Sequence, residues 1–308
     1  MQRTKLGGLF LALVIVAFVL TVYSAGEPQT FHLTILHSND FHGGNLSSLA
    51  RQATLIKEIR AKEANVLVFN GGDVFTRGQY QFDFYGELEF EALNAMGTDV
   101  LTLGNNEFKA TNDYMAQHYL YARINQAKFP VLCANVLVAK DGSYLPNVKP
   151  YIVLNVRGIK IGVLGVSANR IREYQQAKGF TVLDQIETAK NIYPKVAAQS
   201  DLVLALTHIG YLNDRKLAKA VPQLAAIVGG DSHTLITKPE TVGKVPIVQA
   251  GAYGKYMGRL DLYFVNRGKG LVLRHFRGRV YWLNKTIKKD PKIMEIIDRY
   301  LATLSKAA

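Results

Sequence analysis

Cysteine is nearly missing from this chain: Cys133 is the only one in 308 residues, which excludes an intramolecular disulfide and a thiolate metal site. It lies in the apolar, strand-like run Pro130–Ala134, where a buried inert thiol is favoured over a nucleophile. It is also too far from the N-terminus to be a lipoprotein attachment site. Repeats, low-complexity tracts and Pro/Ser-rich linkers are absent too, so one domain over residues 30–305 is the simplest division. Acidic residues are in short supply, 24 against 37 Lys and Arg, and the formal charge is +13. That excess favours anionic partners. No basic tract with interleaved aromatics stands out, however, which argues against a nucleic-acid polymer. With 48% hydrophobic residues, the chain is neither disordered nor fibrous.

Only one hydrophobic run is long. Arg3 and Lys5 precede the uninterrupted segment Leu6–Val22, and Ser24-Ala25-Gly26 follows it, the charged, apolar, small-residue order of a secretory signal. The run also reaches the lower end of the roughly 17–25 residues that span a bilayer as a helix. Residues 1–25 are therefore expected to be a signal peptide, with an N-terminal membrane anchor through residues 6–22 as the alternative. Either places the remainder outside the cytoplasm, in a periplasmic or extracellular setting.

Past that segment, strand-like and helix-like patterns alternate. Phe31–Leu36 reads as a half-buried strand and Leu46–Ala64 as an amphipathic helix. Val66–Phe69 (strand), Tyr85–Met96 (helix), Val100–Leu103 (strand), Asn112–Ala127 (helix) and Val131–Ala134 (strand) continue the series. Tyr151–Val156 and Lys160–Val166 are spaced to pair as a hairpin across Arg157-Gly158. Helix Asp184–Gln199, strand Leu202–Leu206, helix Asp214–Ala220 and strand Ala225–Val228 come next. Beyond Pro239 three strands, Val245–Gln249, Tyr256–Val265 and Leu271–Tyr281, precede a closing helix over Pro291–Leu304. Such alternation predicts an α/β sheet covered by helices.

Polar residues gather where the strands stop. The first runs into Asn39-Asp40-Phe41-His42-Gly43, the second into Asn70-Gly71-Gly72-Asp73, and the third into Gly104-Asn105-Asn106-Glu107-Phe108-Lys109. Later strands end in Thr207-His208 and in Gly229-Gly230-Asp231-Ser232-His233. Ligands of open α/β sheets bind outside the carboxyl ends of the strands. Asp40, His42, Asp73, Asn105, His208, Asp231 and His233 are thus candidate oxygen and nitrogen donors for divalent ions. Asp40 and His42 are two apart, and in an extended segment they would point the same way. Each residue alone reads equally as a strand-end polar group serving a cap or turn. Only their joint occurrence favours a site.

In order and spacing these blocks resemble the calcineurin-like metallophosphoesterases, and most closely the catalytic domain of the 5'-nucleotidase family. The likeness runs from Thr34 to the closing helix and includes Tyr85-Gly86-Glu87 and Phe129-Pro130-Val131 as connecting segments. It implies a four-layer αββα sandwich with mixed sheets and two divalent metal ions. Asp40, His42, Asp73 and His233 would bind one ion. Asp73, Asn105, His208 and Asp231 would bind the other, with Asp73 bridging. A hydroxide bridging the ions, which stand about 3.5–4 Å apart, would attack phosphorus in line. The substrate would be a small phosphorylated molecule, either an ester or an anhydride.

This chain departs from the family pattern in two places. Asn106 stands where the family has the histidine that protonates the leaving group, and Lys109 where it has the orienting aspartate. Losing general acid catalysis costs about 10²–10⁴-fold in rate. Asp231 replaces a metal-binding histidine, which hardens the site and moves the expected metal from Zn towards Mn, Fe or Mg, with Mn favoured. Nucleotide-hydrolysing members of the family it resembles usually carry a C-terminal domain that clamps the base; the resemblance stops at the closing helix, so nucleotide specificity is not expected to carry over from it. Arg77 is placed to touch an anionic substrate, and Tyr253, Lys255 and Tyr256 either line the cleft rim or support the sheet. The leading expectation is an exported dimetal phosphoesterase with altered proton transfer. The alternatives are a catalytically silent metal- and anion-binding protein at the membrane surface and, ranked last, a thiosulfohydrolase-like enzyme.

Overall fold

Two β-sheets lie face to face in the computed structural model, which describes residues 29–75, 78–109, 113–174, 178–266, 268 and 270–307. The N-terminal hydrophobic run and Arg77 lie outside the described residues. The chain runs β1 (Gln29–Ser38), α1 (Ser47–Arg60), β2 (Val66–Asn70), α2 (Gln81–Phe84), α3 (Glu87–Met96), β3 (Val100–Thr102), α4 (Asp113–Gln126), β4 (Val131–Leu132), β5 (Val136–Val138) and β6 (Val148–Lys149). It continues through β7 (Tyr151–Val156), β8 (Ile159–Ser167), β9 (Phe180–Val182), α5 (Gln185–Ala197), β10 (Leu202–His208), α6 (Tyr211–Ala220) and β11 (Ala226–Val228). The last elements are β12 (Glu240–Val242), β13 (Val245–Val248), β14 (Tyr256–Asn266), β15 (Leu271–Trp282) and α7 (Pro291–Ala307). Short 3-10 turns occupy Asn106–Phe108 and Asn169–Glu173.

One sheet has seven strands in the order β15-β14-β1-β2-β3-β4-β6, and the other six in the order β12-β13-β11-β10-β8-β7. Their centres are parallel: β1 with β2, β2 with β3, β8 with β10, and β10 with β11. Antiparallel strands close the edges through the β14–β15 and β7–β8 hairpins. The second hairpin turns at Arg157 and Gly158, both at positive φ, as the sequence predicts.

Three buried clusters separate four layers. Leu33, Ile35, Leu67 and Phe69 of the first sheet meet Val163, Leu204, Leu206 and Val228 of the second between the sheets. Leu36, Val68 and Leu101 pack outward against Leu49, Ile56, Phe90, Ile293 and Ile297 of α1, α3 and α7. Val203, Ala205 and Ile227 pack outward against Ala189, Val196 and Leu217 of α5 and α6. This is the mixed-sheet sandwich expected from the sequence.

Two readings need correction. The first strand is not half-buried: Leu33, Thr34, Ile35 and Leu36 are all fully buried, because β1 sits between β14 and β2 with another layer on each face. Helix α3 begins at Glu87 rather than Tyr85, since Tyr85 and Gly86 are both left-handed and break it from α2. A fully apolar or a helical pattern does not reveal such a break; the φ values do.

Candidate metal centre

The carboxyl ends of β1, β2, β3, β8, β10 and β11 meet at one edge of the sandwich. Asn39 fastens the end of β1 there. Its amide nitrogen donates to Asp40 Oδ2 (2.6 Å) and to the Gly251 carbonyl (2.7 Å), and its oxygen accepts from the Ala250 amide (2.9 Å). The turns after β1 and β2 are then joined by backbone hydrogen bonds from Asp40 N to Gly72 O (2.9 Å) and from His42 N to Asp73 O (3.0 Å).

The donors do not converge through strand alternation. Asp40, His42, Asp73, Asp231 and His233 all have positive φ, five of the nine such non-glycine residues among the described ones. A left-handed backbone is uncommon for residues with a Cβ and gathers at functional sites. Loops twisted this way aim each side chain inward. Glycine is required where they touch: a Cβ on Gly104 would stand 2.2 Å from Asp73 Oδ1, and one on Gly78 would stand 2.5 Å from Gly43 Cα.

Five of the seven sequence-derived donors form two compact groups, Asp40 with His42 and His233, and Asp40 with Asp73 and His208. His233 Nε2 lies 3.1 Å from Asp40 Oδ1, and His208 Nε2 lies 3.2 Å from Asp73 Oδ2. His42 Nε2 is 3.6 Å from both Asp40 Oδ1 and Asp73 Oδ2. The sixth candidate, Asp231, has Oδ1 3.7 Å from His208 Nε2. The seventh, Asn105, is buried beside them, its side chain held by other partners. The His208 ring donates Nδ1–H to the Gly71 carbonyl at 2.5 Å, which leaves Nε2 facing the carboxylates.

A cation fits this arrangement. Asp40 Oδ1 and His208 Nε2 are buried with no hydrogen-bond partner and face each other at 3.9 Å. Buried polar atoms are otherwise nearly always paired. Burial opposes charge on Asp40 and Asp73, yet His208 beside them holds both carboxyls below the usual range. Burial alone would lower His208; Asp73 and Asp40 instead push it up to about 10. Carboxylate oxygens and imidazole nitrogens thus converge in one buried site. Oxygen and imidazole donors together suit Mn, Fe, Zn or Mg.

The role of Glu107, and Arg170 and Tyr174 altogether, escape a reading of the sequence, while Asn105, Asn106 and Lys109 are expected there. Glu107 accepts from the backbone N–H groups of Asp73 (2.9 Å), Val74 (2.8 Å) and Gly104 (2.6 Å), so one carboxylate fixes two loops. Asn106 turns inward: its backbone N donates to Asp73 Oδ1 (2.7 Å) and its Nδ2 to Asp73 Oδ2 (2.5 Å). Asn105 donates Nδ2–H to the Tyr174 hydroxyl (2.6 Å) and accepts from Arg170 Nη2 (3.1 Å). Lys109 Nζ lies 5.6 Å from the Tyr174 ring centre. Arg170 and Tyr174 follow β8, and only the parallel register of β8 with β10 shows that this strand ends at the same edge. Tyr253 lines the rim, its ring 5.6 Å from that of His42 and 5.3 Å from that of His233, whereas Tyr256 packs beneath Gly251.

An α/β sandwich that gathers buried carboxylates and imidazoles at its parallel strand ends defines a class of proteins built around a divalent-metal centre. The chain belongs to the calcineurin-like phosphoesterase family, whose description matches residues 33–235. It is 30% identical to a 5'-nucleotidase of Diplobatis ommata over 93% of this chain and 55% of that protein. A 5'-nucleotidase precursor from Thermus thermophilus superposes with a TM-score of 0.79 at 26% identity, covering 90% of this chain and 59% of that one. The sulfate thiohydrolase SoxB of Thermus thermophilus shares the fold, with a TM-score of 0.75 at 18% identity over 89% of this chain and 61% of that one. The chain thus spans little more than half the length of these three relatives. Among the described residues no helix is long and apolar enough to cross a membrane.

Proposed function

We propose that this chain is a metal-dependent phosphoric ester hydrolase of the 5'-nucleotidase type, acting on small phosphate esters or anhydrides. The observation that carries this reading is the pair of compact donor groups in which Asp40 and Asp73 stand between His42, His208 and His233. Asp40, His42, Asp73 and His233 would hold one ion, and Asp73, Asn105, His208 and Asp231 the other. Bound ions would supply Lewis acidity and a water acidic enough to act as nucleophile near neutral pH. The protein's own groups do the rest. Glu107 and Asn106 fix the Asp73 carboxylate, Asn39 fixes Asp40, and the Gly71 carbonyl fixes the His208 tautomer.

Because Asn106 is engaged with Asp73 and carries no transferable proton, leaving groups must depart without protonation there. Aryl phosphates and phosphoanhydrides should therefore turn over faster than nucleoside monophosphates. The test is hydrolysis of 4-nitrophenyl phosphate with added manganese: turnover is expected in the wild type and its loss in Asp73→Ala, whereas no turnover with manganese, iron, zinc or magnesium would overturn the reading. The inward-turned Asn106 also favours a second reading, a silent metal- and anion-binding protein. Activity that appears only in Asn106→His combined with Lys109→Asp would select it. Residues 1–25 fit export as a signal peptide or an anchor, and N-terminal sequencing of the protein recovered from its native membrane and soluble fractions distinguishes the two.

A further inference from the structure

A permanently charged group stands over the half of the donor set that departs from the family pattern. Arg170, in the 3-10 turn after β8, makes an ion pair with Asp231, and its Nη2 also donates to Asn105 Oδ1 at 3.1 Å. The Arg170 side chain is 45% exposed and the Asp231 side chain 9%, so the guanidinium lies between these donors and solvent. The turn that carries it is braced from both directions, by Tyr174 against Asn105 and by Asn169, whose side chain accepts from Gln185 N (3.0 Å) and whose own N–H donates to Gln185 Oε1 (2.8 Å).

Charge explains the pairing. Asp231 in place of a neutral imidazole adds one negative charge beside Asp40 and Asp73, and Arg170 returns it. Once a divalent cation takes up the Asp231 carboxylate, the guanidinium loses the charge that held it. Its planar fork then presents two parallel N–H donors at the mouth of the site, the geometry that matches phosphoryl oxygens.

We propose that Arg170 is a phosphoryl-binding residue of this site, held by Asp231 until a cation occupies that carboxylate and then released to bind the anionic oxygens of substrate or product. The inference rests on the site reading above. It requires an order of binding, cation before anion. It also requires coupling between the two, because each ligand strengthens the other by the same factor.

The test is calorimetric titration of the full chain with manganese and with inorganic phosphate, with no turnover involved. In the wild type, phosphate is expected to bind only after manganese. In Arg170→Met, phosphate affinity should fall at least tenfold with manganese stoichiometry unchanged, and manganese should bind more tightly without phosphate because no guanidinium has to be displaced. Arg170→Lys, which keeps the charge but not the fork, should fall between the two. Unchanged phosphate affinity in both variants would overturn the proposal, as would loss of a manganese equivalent together with the phosphate. A wild type that binds both ligands as described but hydrolyses no phosphate ester would remove the enzymatic reading and leave the role of Arg170 standing. One that binds no manganese would remove both.

Discussion

Asp73 shows how little freedom a single donor has. Both carboxylate oxygens accept from Asn106, its backbone N–H donates to Glu107, and Gly104 lies against it. Gly104→Ala would set a methyl 2.2 Å from Asp73 Oδ1. It should abolish manganese binding in calorimetry and lower stability by about 1–3 kcal/mol, the usual cost of overpacking. Glu89 in α3 is a different buried acid: burial pushes its carboxyl from 4.5 up to about 7, against the weaker pull of Arg123 from α4. A raised carboxyl pKa favours the folded state fully below the unfolded value, and the benefit fades as pH rises through the folded one. Unfolding free energy should therefore lose about 3 kcal/mol between roughly pH 4.5 and pH 7 through this group. Denaturant titrations of Glu89→Gln should lack that component. At this scale the sequence was legible where residue type and strand end coincide, as at Asp40-x-His42. The reason was different from the expected one, because left-handed turns rather than extended alternation make those side chains converge. Arg170 was not legible, since its partners are 65 and 61 residues away.

Among the elements, those with a strong local signal lie where the sequence puts them. Helix α5 starts one residue after the expected Asp184, which acts as its cap and accepts from Ile186 N (2.9 Å) and Glu187 N (3.0 Å). Asp184→Ala should cost about 1 kcal/mol of stability in thermal or chemical unfolding. The cost to the site should be read in the same variant: α5 follows the segment that carries Arg170, and Asp184 Oδ2 accepts from Asn169 Nδ2 at 2.9 Å. Strands β5, β6, β9 and β12 went unseen because two or three residues are too few to establish a period. They exist because neighbouring strands offer them backbone partners.

For the whole molecule, the inter-sheet cluster is what brings the strand ends of both sheets to a common edge. Leu204 in β10 is fully buried there. Leu204→Ala should destabilise the protein by about 2–5 kcal/mol, measured by chemical denaturation. A shift in manganese affinity would show whether sheet spacing sets donor spacing. An α/β sheet covered by helices was legible because apolar runs and turn residues alternate along most of the chain, whereas the four-layer sandwich followed only from the family resemblance. Which strands shared an edge was not, because crossover order is decided by packing between the layers rather than by local pattern.

The close glycine contacts at that edge have an evolutionary consequence. Where one loop's backbone rests on another's, as Gly78 does on Gly43 and Gly104 does on Asp73, neither can lengthen nor gain a side chain without unseating its neighbour. A descendant of this protein that changed its substrate would have to do so by varying segments free of such interlocks. Residues 168–174 after β8, which contain no glycine and already carry Arg170 and Tyr174, are the natural place for that variation to accumulate.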